Sequence, residues 1–247
     1  MDNQLARIDL VKERLEFVEL IGSLNQQFLK PELAMETKDG GWTHPWKHFD
    51  SLRTYLLLTC FDLLGQPDEF MDFGAWLRAG RTREERDSIL LSIPDVGDFV
   101  QRVSMMHEAY LGIYGVKKSF LRFIDDVIPE ASKASLLYSI RVSEFDPTEN
   151  REIGILDEET RKTGFLYWVR NSYTHKAIST GSPAGGVFSN WGMPILIDGV
   201  PKMGWEPICT RIDGGKHYSY GVRNWPTVLI EVVTCGLREI ERLSAAT

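Results

Sequence analysis

The sequence predicts a mainly α-helical bundle with a small antiparallel β insertion before its last helix. Three observations carry this. Apolar residues recur at three- and four-residue steps through most of the chain. Gly and Pro fall at the ends of those runs. From Gly181 to Arg223 the texture changes to short β-prone runs separated by Asp-Gly turns. A length of 247 residues fits one domain, 1–247, with the β-rich insertion at about 181–223.

The elements follow in order. Residues 5–29 place Ile8, Val11, Leu15, Val18, Ile21 and Phe28 at helical spacing, and Lys30-Pro31 ends the run. Residues 31–47 are polar, Gly-rich and aromatic, which predicts a loop. A second helix spans about Phe49 to Leu64, stopped by Gly65. Its centre, Tyr55 to Phe61, is apolar almost all round, so it is expected to be buried on most sides. A short helix is expected at 70–78, and another from Thr82, where Thr82 and Glu85 have capping-box spacing. The longest periodic run, 96–128, keeps Phe99, Val103, Met106, Tyr110, Ile113, Phe120, Ile124 and Val127 at helical spacing. Gly112 and Gly115 weaken its middle. A helix at 130–142 and an acidic connector at 144–160 precede a helix over about 158–178, with Asp157 as its N-cap. Residues 186–223 read as a β-meander, with Asp198-Gly199 and Asp213-Gly214 as hairpin turns. Pro226 opens the final helix, with Val228, Val232, Leu237 and Ile240 facing inward.

Composition narrows the class. Apolar residues make up 43% and charged residues 26%, ordinary for a globular protein. There is no long uncharged apolar run and no secretory pattern at the N-terminus, so a cytoplasmic protein without a membrane span is expected. Cys60, Cys209 and Cys235 are far apart and show no Cys-x-x-Cys spacing, against a disulfide framework or a structural zinc site. A net charge of −7 argues against a protein that coats nucleic acid over its whole surface. Residues 161–223 nevertheless hold eight Lys/Arg against three Asp/Glu, a local +5 that leaves −12 for the remainder. That segment either clusters by chance or forms a basic surface that attracts phosphate.

Inside it lies Tyr167-Trp168-Val169-Arg170-Asn171-Ser172-Tyr173-Thr174-His175-Lys176. Arg170 offers a planar donor fork suited to phosphate oxygens. His175 can move a proton near neutral pH. Asn171 lies one helical turn before His175, on its face, whereas Arg170 is rotated about 140° from it. Together these groups are what RNA cleavage by 2′-hydroxyl attack requires: acid–base help and charge stabilisation at phosphorus.

Arg170-Asn171-x-x-x-His175 resembles the Arg-x4-His signature of HEPN domains. That resemblance implies a helical bundle acting as a metal-independent endoribonuclease, with no cofactor, usually as a homodimer whose two motifs share a cleft. It also implies a toxin–antitoxin or phage-defence setting, with an antitoxin or defence-complex partner. Arg170 and His175 would be the catalytic pair, supported by Asn171. The substrate would be single-stranded or loop RNA, with Lys176 and Tyr173 beside the motif contributing to its binding. The β-rich 186–223 segment lies outside the family's core pattern, and many HEPN domains serve only in binding. The alternative is therefore a non-catalytic HEPN-like module that binds protein or nucleotide.

Lys216, Tyr218 and Arg223 interleave basic and aromatic character, as does a surface for unpaired bases. The same residues also fit a half-buried strand whose aromatics pack on the bundle, the commoner use of such residues. His44 and His48 flank Pro45, His107-Glu108 lacks a second histidine, and Gly214-Gly215-Lys216 lacks the rest of a P-loop. Asp125-Asp126 marks a helix end near Pro129. Trp42, Trp46, Trp191 and Trp205 sit in loop-like contexts, where an unrelated helical enzyme could hold a site.

Overall fold

A computed structural model describes residues 2–28, 35–36, 42–43, 48–92, 99–149, 151–176, 194–197, 200–203 and 206–245. Side chains at 2–3, 25–28, 35–36, 42–43, 48–51, 173–176, 194–197, 200–203 and 206–208 lie outside that description. The chain is mainly helical, with one four-stranded antiparallel sheet and two short two-stranded ones.

The first two helices form as their spacing dictates. Helix α1 (Asp2–Phe28) turns Ile8, Val11, Val18 and Ile21 inward. Helix α2 (His48–Leu64) buries Leu57, Leu58, Cys60 and Phe61 completely. Between them, strands β1 (Met35–Glu36) and β2 (Trp42–Thr43) pair where a plain loop was expected. At the end of α2, Gly65 donates its backbone N–H to the Phe61 carbonyl at 3.0 Å. A Cβ there would overlap the Ser119 carbonyl oxygen and lie 2.8 Å from the Phe123 nitrogen. Both obstacles are backbone atoms of the next layer. Gly65→Ala is therefore expected to lower stability by about 3 kcal/mol, read as a shift in the urea midpoint.

Helix α3 (Phe73–Arg78) is capped by Asp72, whose side chain accepts from the Ala75 N–H at 2.8 Å. A 3₁₀ turn (Gly80–Thr82) leads into α4 (Arg83–Ser92). The expected Thr82–Glu85 capping box does not form. The buried Thr82 hydroxyl instead donates to the Trp76 carbonyl at 2.7 Å, and Glu85 accepts from the Trp76 indole at 3.3 Å. These contacts belong to a satellite cluster around Met71, Trp76 and Tyr110. The long periodic run breaks at Gly115 into α5 (Phe99–Tyr114) and α6 (Val116–Arg122), followed by a π turn (Phe123–Val127). Phe120 and Ile124 reach the core. Phe99 is 80% exposed, and Val103 and Ile113 also face outward. Helical periodicity locates an apolar face without naming what covers it.

The largest difference lies between 130 and 160. Helix α7 (Glu130–Tyr138) is short, and the expected acidic connector is a hairpin of β3 (Ile140–Asp146) and β4 (Arg151–Leu156). Helix α8 (Glu159–Lys176) follows. Asp157 accepts from Lys162 at 2.6 Å.

The β-rich 181–223 segment is correspondingly more than an insertion. Strands β5 (Pro194–Ile197) and β6 (Val200–Met203) pair only with each other. Strands β7 (Glu206–Asp213) and β8 (Lys216–Val222) join β3 and β4 in the order β4-β3-β8-β7. Gly214 and Gly215, at φ +57° and +79°, close the β7–β8 hairpin as the Asp-Gly signal predicts. Registers Ile140↔Val222, Val142↔Tyr220 and Glu144↔Tyr218 align one face of the sheet. Phe165 of α8 stacks on Tyr220 of that face, ring centres 4.8 Å apart. Helix α9 (Thr227–Ala245) buries Val228, Val232 and Leu237 and packs on α2 and α7. Among the described residues, no helix is long and apolar enough to cross a membrane.

Candidate functional site

The motif lies on the C-terminal half of α8. Phe165, Leu166 and Val169 are buried on the side of the helix turned away from Asn171 and His175, which fixes its rotation against the core. Arg170 points toward α2. Its Nε donates to Asp62 Oδ2 at 2.9 Å, and its Nη2 lies 2.7 Å from the same oxygen. Its Nη1 donates to Asn171 Oδ1 at 3.1 Å. Arg170 and Asp62 are 15% and 10% exposed, so water screens the pair little.

The sequence reading missed Asp62. The signal was present: Asp62 directly follows the apolar run Tyr55–Phe61, and a carboxylate buried there needs a partner. Burial pushes the Asp62 carboxyl up to about 6, against the opposing pull of Arg170 and, more weakly, Arg14. Arg14 is itself tied to Thr59 Oγ1 at 2.7 Å. Asp62 Oδ1 is buried and has no hydrogen-bond partner among the described groups. A proton there would meet no competing donor.

Of the expected site residues, Arg170 and Asn171 are brought together. The side chains of Tyr173, His175 and Lys176 lie outside the described residues, although their helical backbone positions are known. Those positions repeat the expected geometry: Asn171 and His175 share a face, and Arg170 is turned about 140° from His175.

The strand residues behave differently from a surface for bases. Tyr218 is buried at 5% exposure, with the Arg161 guanidinium 4.0 Å above its ring. It packs in the sheet because β8 alternates inward at 218, 220 and 222. Lys216 pairs with Glu144 at 3.1 Å. Arg223 lies over the Tyr138 ring at 3.7 Å. The basic segment is likewise largely neutralised. Arg161 pairs with Glu158 and Asp213, and Lys162 with Asp157. Arg211 differs: among the described residues it forms no ion pair, and its guanidinium sits 5.1 Å from the Trp168 ring centre. That contact was not visible in the sequence, because it joins α8 to a strand more than forty residues later.

Other candidates are bland. Burial pushes the Cys60 and Cys209 thiols up to about 12, which makes them poor nucleophiles. Cys209 owes its shift to burial alone, with Arg211 nearby pulling weakly the other way. Among the described residues, no group of three His, Cys, Asp or Glu is placed to hold a metal ion. His44 and the loop tryptophans 42, 46, 191 and 205 carry no described side chains. A cavity of about 240 Å³ lies among Arg7, Leu64, Asp68, Arg122, Asp126 and Ile240, with no lining residue from α8.

Comparison with known families, with curated proteins and with solved structures returns no match.

Proposed function

We propose that the chain is a metal-independent endoribonuclease of the HEPN type, working as a homodimer on single-stranded or loop RNA in a defence or toxin–antitoxin setting. One observation carries this reading: a hydrogen-bonded Arg170–Asn171 pair stands one turn before His175 on a single helix. In the proposed step, His175 takes the 2′-hydroxyl proton or gives one to the leaving 5′-oxygen, and water exchanges the other proton. The 2′-oxygen bonds to phosphorus, and the bond from phosphorus to the 5′-oxygen breaks. The products are a 2′,3′-cyclic phosphate and a 5′-hydroxyl. Arg170 offsets the charge that builds on the phosphoryl oxygens. Asp62 positions it, as an orienting carboxylate does for a catalytic side chain.

A second reading has its own support. The Arg170 fork is already committed to Asp62, on the far side of α8 from His175. A non-catalytic module that binds a protein or nucleotide would need no more than that brace. Phe99 and Leu91, 80% and 87% exposed, supply apolar surface of the kind partners cover.

Incubating total RNA or tRNA in EDTA with wild type and with His175→Ala separates the two. The ribonuclease predicts cyclic-phosphate ends from wild type only. A wild type that cuts nothing, or a variant that cuts equally well, leaves the binding module.

A further inference from the structure

A second feature of α8 extends the ribonuclease reading and rests on it. A cleft of about 420 Å³ opens between the N-terminal half of α8 and the β7–β8 hairpin, lined by Thr160, Arg161, Gly164, Arg211, Asp213 and Tyr220 among others. We propose that this cleft holds a phosphate of the RNA strand through Arg211, upstream of the cleavage motif on the same helix face.

Charge in the cleft is unevenly committed. The Arg161 charge is paired with Glu158 and Asp213, at 2.5 and 2.8 Å, although its buried Nε makes no aligned hydrogen bond. Those two carboxylates are thereby occupied. Arg211 has no carboxylate partner among the described residues and rests on the Trp168 ring. A guanidinium stacked on an aromatic face is held in orientation while the donors at its edge stay available for phosphate oxygens. The register places it there: Arg211 stands opposite Tyr218 on β8, so both lie on the sheet face toward α8.

The helix leaves room for a ligand. Gly164 is exposed, and a Cβ built on it meets no atom within 4 Å. A glycine in mid-helix weakens the helix relative to alanine, so packing alone gives no reason for it. Here it keeps the wall of the cleft flat.

The cleft also has a direction. At about 100° per residue, Gly164, Trp168, Asn171 and His175 fall within an arc of roughly 60° on α8. The rise from Gly164 to His175 is about 16 Å. A strand whose phosphate engages Arg211 would therefore run along this face toward His175. Arg170 reaches the opposite side and braces the helix against α2.

The test measures binding without turnover. A short fluorescein-labelled oligouridylate is titrated against the full chain carrying His175→Ala. Further variants add Arg211→Ala, Arg211→Lys or Gly164→Leu, and each is melted by circular dichroism. Arg211→Ala is expected to weaken binding about tenfold and to lower the salt slope by roughly 0.7, the signature of one lost single-strand phosphate contact. Arg211→Lys should fall between, and Gly164→Leu should weaken binding by filling the cleft. No binding by the parent, or equal affinity in Arg211→Ala and Gly164→Leu with unchanged melting, overturns the proposal. Uridine monophosphate binding as tightly as the oligomer, with the same dependence on Arg211, also overturns it in favour of a mononucleotide pocket. A wild type that leaves RNA uncut in EDTA defeats the ribonuclease reading alone, since Arg211-dependent binding would still stand.

Discussion

Asp62→Ala is expected to lower the stability of the chain by about 3 kcal/mol, measured as a shift in the urea unfolding midpoint at neutral pH. The substitution strips the acceptor from two donors of a guanidinium only 15% exposed. Removing one partner of a buried ion pair typically costs about 3–5 kcal/mol, because the remaining charge stays buried and unpaired. Residual exposure and the bond from Arg170 to Asn171 place this case at about the lower end of that range. Replacing both partners, as in Asp62→Leu with Arg170→Met, should recover most of the loss, since apolar groups of similar volume do as well in such a site. Equal losses in the single and double variants would show that the ion pair is not the cause.

The same carboxylate makes stability depend on pH. Burial raises its pKa from an ordinary 3.8 to about 6 in the folded chain. The native state thus holds a proton that the unfolded state releases. The proton-linked part of the Asp62 contribution is fully present below about pH 4 and is lost as pH rises through about 6, leaving at neutral pH the ion pair that Asp62→Ala removes. Two pKa units correspond to roughly 3 kcal/mol as an upper figure. Asp62→Ala should flatten this part of the stability profile between pH 4 and pH 6. Other carboxylates act with the opposite sign: Asp146, held down by the Thr148 and Glu149 amides, titrates lower.

What the sequence revealed depended on how local each signal was. Helices α1, α2 and α9 were legible because each repeats an apolar face over several turns, and α8 because a candidate N-cap precedes it and Gly181 and Pro183 follow it. Gly115 was legible as a helix-weakening residue, and a Cβ there would overlap the Leu111 carbonyl oxygen; the Asp213-Gly214 turn was legible because Gly214 and Gly215 take positive φ. The β3–β4 hairpin was not. Its alternating Ile140 and Val142, and Ile153 and Ile155, are diluted by Glu144, Asp146, Glu149 and Glu152, and β4 lies at the edge with both isoleucines exposed. The sheet itself was hidden because β3 pairs with β8 from across α8, a contact between residues some eighty positions apart. The motif was legible as composition, since Arg170 and Asn171 are neighbours in sequence. Its brace at Asp62 was not, because the partner comes from a helix 108 positions earlier.

Within α8, the proposed ribonuclease reading expects His175→Ala to lower the rate of RNA cleavage by about 10²–10⁴-fold, the range lost with a general acid or base. Arg170 needs a subtler substitution, because Arg170→Ala would remove the brace and the proposed phosphate contact together. Arg170→Lys keeps a positive charge near Asp62. A single ammonium group cannot reproduce the planar fork that meets Asp62 Oδ2 through two nitrogens and Asn171 through the third. Cleavage and unfolding are therefore measured on the same Arg170→Lys preparation, at a temperature where it is fully folded. If Arg170 stabilises the transition state, cleavage should fall by about 10²-fold, as with loss of one preorganised donor. If Arg170 only braces α8 against α2, cleavage should follow the folded fraction and stay near wild type. Asn171→Ala gives the third point, since it removes the Asn171 acceptor from Arg170 Nη1 and leaves the Asp62 pair in place. A large loss there with unchanged stability would assign catalytic weight to the Arg170–Asn171 contact itself, apart from the brace.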